Sequence, residues 1–290
     1  MNFKHLGSDK CIFTFETQNG RLILAFYVDD MLIISSNEYV LNEAISIIKN
    51  QFKLKKSKKL SNILGIEIRQ EENFVSMNQT RYIDTILEHF GMKNSNPSSV
   101  PLDPNQDLDL EFDSSEKCDQ KRYQELLGSL MYLRTKTRPD IAFQLSTLSR
   151  YSKDPRQIYM GALKRILRYL KGTKHFSLEY KKGIPELRAY LDDNWKERST
   201  AEELFNILGP RNFKAKIFCD NKSAIFLAQN GHVSNRSNHL VRKVAFLHEC
   251  FIDDIFELDH VRSDENLADF LTKGMGRIKL TRILTTLGLR

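Results

Sequence analysis

The chain has 290 residues, of which 41% are hydrophobic and 28% charged, and its formal net charge is +7 at pH 7. That is enough apolar material for one large domain or two ordinary ones, and no run approaches the roughly 20 apolar residues of a membrane span. The opening Met1-Asn2-Phe3-Lys4-His5 lacks a secretory apolar stretch. The four cysteines, Cys11, Cys118, Cys219 and Cys250, stand too far apart for a paired-cysteine zinc site or a disulfide framework, which fits a reducing compartment.

Residues 11 to 35 read as a β-hairpin, with a turn at Gln18-Asn19-Gly20 and an almost wholly apolar run from Leu22 to Val28. Asp29-Asp30 interrupts, and Met31 to Ile34 is apolar again. Asn37 is placed to cap a helix from about Glu38 to Phe52. A second β-like pair follows at Ile63 to Ile68 and Phe74 to Met77, then an amphipathic helix from Asn78 to Phe90 closed by Gly91. From Lys93 to Gln120 the composition turns to Pro, Ser, Asn and Asp, a linker or ordered loop. Helices are expected over Arg122 to Arg134, Pro139 to Tyr151 and Arg156 to Lys171. Strands are expected at Phe176 to Tyr180, Leu187 to Leu191, Ala215 to Cys219 and Phe256 to Val261. Further helices fall at Ala201 to Leu208, Asn221 to Gln229 and His239 to Ile252, and the last starts at Asn266 to Lys273. The fold class is α+β.

The excess positive charge is clustered. Lys53, Lys55, Lys56, Lys58 and Lys59 fall close together, while Lys164, Arg165, Arg168, Lys171 and Lys174 share one helical segment. Clustered cations attract a polyanion through its phosphates, so nucleic acid is the leading partner and an anionic membrane surface the second. The membrane reading is weak because the basic helix lacks Trp or Phe anchors on its apolar face. A solvated helix face remains the plain alternative. His239, His248 and His260 form no ligand pattern and read as surface or packing residues.

Asp29 and Asp30 carry the first chemical signal. A two-residue hairpin turn favours Asn-Gly or Gly-X, because its backbone needs a positive φ. Two adjacent carboxylates between apolar strands are therefore either a solvated turn or a pair displayed at a sheet rim, where they suit a hard divalent cation.

Phe26-Tyr27-Val28-Asp29-Asp30-Met31-Leu32-Ile33 resembles the Tyr-Val-Asp-Asp hairpin of copia-type retrotransposon Pol polyproteins. Further stretches resemble the same family in order. They are Ile63 to Ile68 around Gly65, Tyr123 to Leu133, Thr137-Arg138-Pro139-Asp140-Ile141-Ala142, and Arg165 to Thr173. The resemblance implies a partial reverse-transcriptase palm over residues 1–92, a linker with a helical thumb or connection over 93–184, and a shortened RNase H-like region over 185–290. It implies RNA/DNA template-primer as partner, with no membrane and no small-molecule cofactor. Mg²⁺, or Mn²⁺, is the implied metal. Association with the rest of Pol or with a second copy, and a place in a cytoplasmic particle or the nucleus, go with it. By the same resemblance Asp29 and Asp30 are polymerase metal ligands, Gly65 belongs to a primer-gripping turn, and Lys55 stands near the incoming nucleotide. Lys164, Arg168 and Lys171, spaced along one helix face, are placed to contact phosphates. Because the family needs an earlier aspartate and a fingers region, the chain is expected to start inside the palm and to be inactive alone.

The last hundred residues resemble the family's RNase H. Asp192 follows Ala189-Tyr190-Leu191, Asp220 follows Ile217-Phe218-Cys219, and Asp269 lies in Asn266-Leu267-Ala268-Asp269-Phe270-Leu271-Thr272-Lys273. By resemblance these three are catalytic metal ligands. Glu203 is either the fourth or a solvated helix residue. From Asp192 to Asp220 is 28 positions. Two more antiparallel strands, a helix and a strand need roughly 40 residues. The meander strands are therefore expected to be deleted, leaving an exposed sheet edge and an inactive or poorly folded nuclease. The other reading of the whole chain is a non-catalytic nucleic-acid-binding remnant.

Overall fold

A computed structural model of the chain describes residues 3–6, 9–53, 59–106, 116–183, 188–192, 215–231, 248–249, 251–254 and 256–290. Lys55, Glu203, His239 and the expected helix at 201–208 lie outside the described residues. One compact unit holds the described residues up to Lys59, and the other holds those from Leu60 onward.

The first unit is an antiparallel sheet, in the order β1 (Lys4–Leu6), β2 (Asp9–Thr17), β3 (Gly20–Tyr27), β4 (Asp30–Ser35), followed by helix α1 (Glu38–Gln51). Alternation decides its faces. Leu22 and Leu24 pair across the sheet with Phe15, Phe13, Ser35 and Ile33, and they are buried with Val40 and Ala44 of α1. Asn37 caps α1, its side-chain oxygen accepting from the Tyr39 N–H at 2.8 Å. Glycine is required at Gly20, where a Cβ would stand 3.0 Å from Ser36 Oγ and 3.1 Å from Asn37 Cβ. The unit's core is thin, with four fully buried apolar residues among those described.

The second unit begins with another antiparallel sheet, β5 (Asn62–Ile63), β6 (Ile66–Gln70), β7 (Phe74–Asn78) and β8 (Leu178–Lys181). The expected single strand over 63–68 is broken by a turn at Leu64-Gly65, both with positive φ (51° and 70°). Around this sheet pack α2 (Thr80–His89), α3 (Gln120–Lys136), a 3₁₀ turn (Pro139–Ile141), α4 (Ala142–Ser149) and α5 (Gln157–Gly172). Gly91, at φ 68°, ends the α2 segment with the Met92 N–H bonded back to the Leu87 carbonyl. Residues 93–102 are an ordered loop, since Val100 and Leu102 are buried and the Ser98 N–H donates to the Arg168 carbonyl.

A buried charged node joins these helices. Arg138 donates to both carboxylate oxygens of Asp140, at 3.0 and 2.7 Å, and to the carbonyl and hydroxyl oxygens of Thr173. The Tyr169 hydroxyl donates to Asp140 at 2.7 Å. Burial alone pulls the guanidinium pKa down, but the Asp140 charge and its hydrogen bonds outweigh that and raise it; burial pushes the Tyr169 phenol up.

The rest of this unit contributes three parallel strands in the order β11 (Phe256–His260), β10 (Ala215–Cys219), β9 (Arg188–Leu191). They are accompanied by α6 (Lys222–Asn230), the short α7 (Asp269–Thr272) and α8 (Arg277–Thr286), the last of which the periodicity alone does not announce. Leu280, Ile283, Leu284 and Leu289 join the same core as α2 to α5. The final residues close on β8, where Ser177 and Arg290 exchange backbone bonds and Arg290 pairs with Glu179 at 2.6 Å. Among the described residues β9 has no neighbour on its outer side.

Candidate functional site: a carboxylate cluster at parallel strand ends

Parallel pairing dictates the site. Cys219 lies opposite Leu191 and His260 opposite Cys219, so neighbouring strands end at one level. The next residue after β9 is Asp192 and the next after β10 is Asp220. Asp269 arrives from a different direction, at the first turn of α7. Asn266 fixes that arrival: its fully buried amide donates to the Leu191 carbonyl at 2.9 Å, while its oxygen accepts from the Ala268 N–H at 3.0 Å. Across the cleft Asn221 caps α6, accepting from the N–H groups of Ser223 and Ala224 at 3.0 and 3.1 Å.

The result is a set of carboxylate oxygens from Asp192, Asp220 and Asp269 that all lie within 4.8 Å of one another. Asp192 and Asp220 border an open cleft of about 640 Å³ that is also lined by Asn221, Lys222, Ser223, His260, Thr272 and Lys273. Asp269 is buried, and the other two are half-buried. Three hard oxygen donors converging from three elements are the donor chemistry that suits a Mg²⁺ or Mn²⁺ ion, so the residue types fit the implied metal.

Cations already attend the acids. Lys273 Nζ is 3.0 Å from Asp269 Oδ1 and 3.5 Å from Asp192 Oδ2, and Lys279 Nζ is 2.8 Å from Asp269 Oδ2. The Thr272 hydroxyl donates to Asp192. The hydrogen bond to Asp269, with the charges of Asp192 and Asp269, holds the Lys273 ammonium above its ordinary pKa. Sequence reasoning assigned no role to Asn266, Lys273 or Lys279. The available signal was an Asn two residues before Ala268, the spacing at which a side-chain oxygen accepts from a backbone N–H two positions on.

Asp29 and Asp30 are displayed differently. They sit at the β3–β4 hairpin tip, where Tyr27 pairs with Asp30 around the two-residue turn Val28-Asp29. Both are exposed, and no third metal-ligating side chain converges on them among the described residues. Val28 carries the strain, with φ 53° and 88% exposure, where a β-branched side chain is a true outlier.

Gly65 lies in the tight β5–β6 turn, and the Tyr132 hydroxyl donates to the neighbouring Leu64 carbonyl. Of the three α5 cations expected to contact phosphates, Lys164 is exposed. Arg168 donates to the Asn96 carbonyl at 2.6 Å, and Lys171 donates to the Lys93 and Ser95 carbonyls, each at 2.7 Å. The last two fasten the 93–98 loop to the helix.

Residues 1–104 match the reverse transcriptase (RNA-dependent DNA polymerase) family model. The chain is 27% identical to a retrovirus-related Pol polyprotein from transposon RE1 of Arabidopsis thaliana, over 99% of its own length and 23% of that protein. It is 28% identical to the corresponding polyprotein from transposon TNT 1-94 of Nicotiana tabacum, over 94% of itself and 25% of the relative. It is also 31% identical to an uncharacterised mitochondrial protein of Arabidopsis thaliana, over 60% of itself and 72% of that protein.

The chain belongs to the reverse-transcriptase family of retrovirus-related Pol polyproteins.

This Pol chain spans about a quarter of the length of the two polyproteins. Its alignment to the RE1 polyprotein runs over 338 positions against 290 residues, so at least 48 aligned positions of that relative face no residue here. No solved structure matches the chain. No helix among the described residues is long and apolar enough to cross a membrane.

Proposed function

We propose that this chain is a stretch of Pol running from the palm hairpin through a helical thumb or connection region into an RNase H-like region, over residues 1–92, 93–184 and 185–290. The ancestral work of such a stretch is RNA-directed DNA synthesis with removal of the RNA strand, on RNA/DNA template-primer. The observation that carries this reading is the convergence of Asp192 and Asp220, at the ends of parallel strands, with Asp269 of α7. Exposed edge cations beside carboxylates suit a polyanionic strand, and Lys222 and Lys273 both border the cleft.

In this reading Asp192, Asp220 and Asp269 hold a divalent ion. When bound, such an ion offsets charge on the phosphoryl oxygens of a strand being cut. Asn266 holds the α7 acid against the β9 end, and Lys222 and Ser223 at the start of α6 bear on the phosphate backbone. Asp29 and Asp30 form half of a polymerase site, to be completed by a carboxylate on another strand. Three parallel strands with an outer edge at β9 among the described residues support a nuclease region short of its meander.

The chain alone is therefore expected to bind divalent ions and hybrid, yet to turn over neither reaction. Primer extension on an RNA template with Mg²⁺ tests the first half, and incorporation abolished by Asp29→Asn would overturn it. Cleavage of the RNA strand of a hybrid tests the second, where cutting that disappears in Asp220→Asn would show turnover retained. A gel shift against salt tests binding: no shift at low ionic strength excludes a nucleic-acid-binding role.

A further inference from the structure

The cations beside the three acids are not equivalent. Lys279 reaches a single oxygen, Asp269 Oδ2. Lys273 bridges two elements, touching Asp269 Oδ1 from α7 and Asp192 Oδ2 at the end of β9. Asp220 has no ion pair among the described residues, although its carboxylate lies within 4.8 Å of the other two. Three negative charges packed this closely repel one another, and the two ammonium groups offset two of them. An ion that engages all three acids competes with Lys273 for the oxygens it now holds.

We propose that Lys273 is a built-in counter-ion of the cluster, which holds Asp192 and Asp269 together in the ion-free protein and must give up the carboxylate oxygens it bridges, Asp269 Oδ1 above all, when a divalent ion binds. The inference rests on the reading that the three aspartates hold such an ion. The side chain is built for release. It is 54% exposed, it stands at the mouth of the cleft, and its four-carbon stem can carry the ammonium outward without moving α7. Lys279, which does not touch Asp192, can stay on Asp269 throughout.

Titration of Mn²⁺ into the full chain, followed by calorimetry and by thermal melting, tests this. Lys273→Met keeps most of the stem and removes the charge. It is expected to tighten Mn²⁺ binding on the order of 10-fold, a modest effect because the ammonium is partly screened by solvent. The same variant is expected to melt lower than wild type without ion and to recover at saturating Mn²⁺. Lys273→Arg keeps the charge and should stay near the wild-type affinity, while Lys279→Met should tighten binding less than Lys273→Met. A folded Lys273→Met with unchanged or weaker affinity overturns the proposal. Asp220→Asn separates that failure from failure of the site itself. If it abolishes Mn²⁺ binding while Lys273→Met changes nothing, the site stands and only the counter-ion role falls. If neither wild type nor Lys273→Met binds Mn²⁺, both fall; binding gained only in Lys273→Met supports the proposal most strongly.

Discussion

Two sets of aspartates in this chain are displayed in opposite ways. Asp29 and Asp30 stand exposed on a hairpin tip above a core of four buried apolar residues, and no third acid meets them among the described residues. Asp192, Asp220 and Asp269 come from three elements and are partly or fully buried, and two lysines already pair with Asp192 and Asp269. Adjacent positions in sequence make a pair, but only tertiary convergence makes a ligand set. The first pair meets no third ligand among the described residues, whereas the second cluster is assembled within one compact unit.

That contrast can be broken most forcefully at the scaffold of the second unit. Asp140→Asn leaves the Arg138 guanidinium buried without its counter-charge, and it should cost about 3–5 kcal/mol in urea unfolding. A change below 1 kcal/mol would show that the node does not organise the helices. In the first unit, Leu22→Ala removes a fully buried side chain from a thin core and should cost about 2–5 kcal/mol. Because the two units are separately compact, Leu22→Ala should leave Mn²⁺ binding at the cluster intact, and loss of that binding would contradict the separation. Val28→Gly relieves a positive φ and should stabilise the hairpin by about 1 kcal/mol in thermal melts. Least of all, Asp29→Asn and Asp30→Asn, both exposed, should each change stability by no more than about 0.5 kcal/mol.

Much of the fold was legible where short-range chemistry decides it. Asn37, Gly91 and Asn221 mark helix ends because a cap or a left-handed residue needs only its own neighbours. The strand Ala215–Cys219 was likewise visible from local pattern, whereas the hairpin turn expected at Asp29-Asp30 falls one residue earlier, at Val28-Asp29, with Asp30 already paired to Tyr27. The break at Leu64-Gly65 was hidden, since an apolar run gives no sign of a reversal beyond one glycine. Helix α8 and the closure of Arg290 on β8 depend on partners more than a hundred residues away. Asp192, Asp220 and Asp269 could be named from the family resemblance, but their lysine partners could not. Lys273 reads as an ordinary helix-end cation until β9 is seen to end beside it. Arg168 and Lys171 look like phosphate contacts on a helix face, and in the fold their donors meet the carbonyls of residues 93, 95 and 96.

The proposed ion-binding chemistry of this Pol chain resides in the cluster of Asp192, Asp220 and Asp269. Calorimetric titration of Mn²⁺ into wild type, Asp220→Asn and the Asp29→Asn/Asp30→Asn double variant tests it directly. Binding retained in the hairpin variant and lost in Asp220→Asn is the predicted result. Binding that survives in Asp220→Asn and vanishes with the hairpin acids would contradict it.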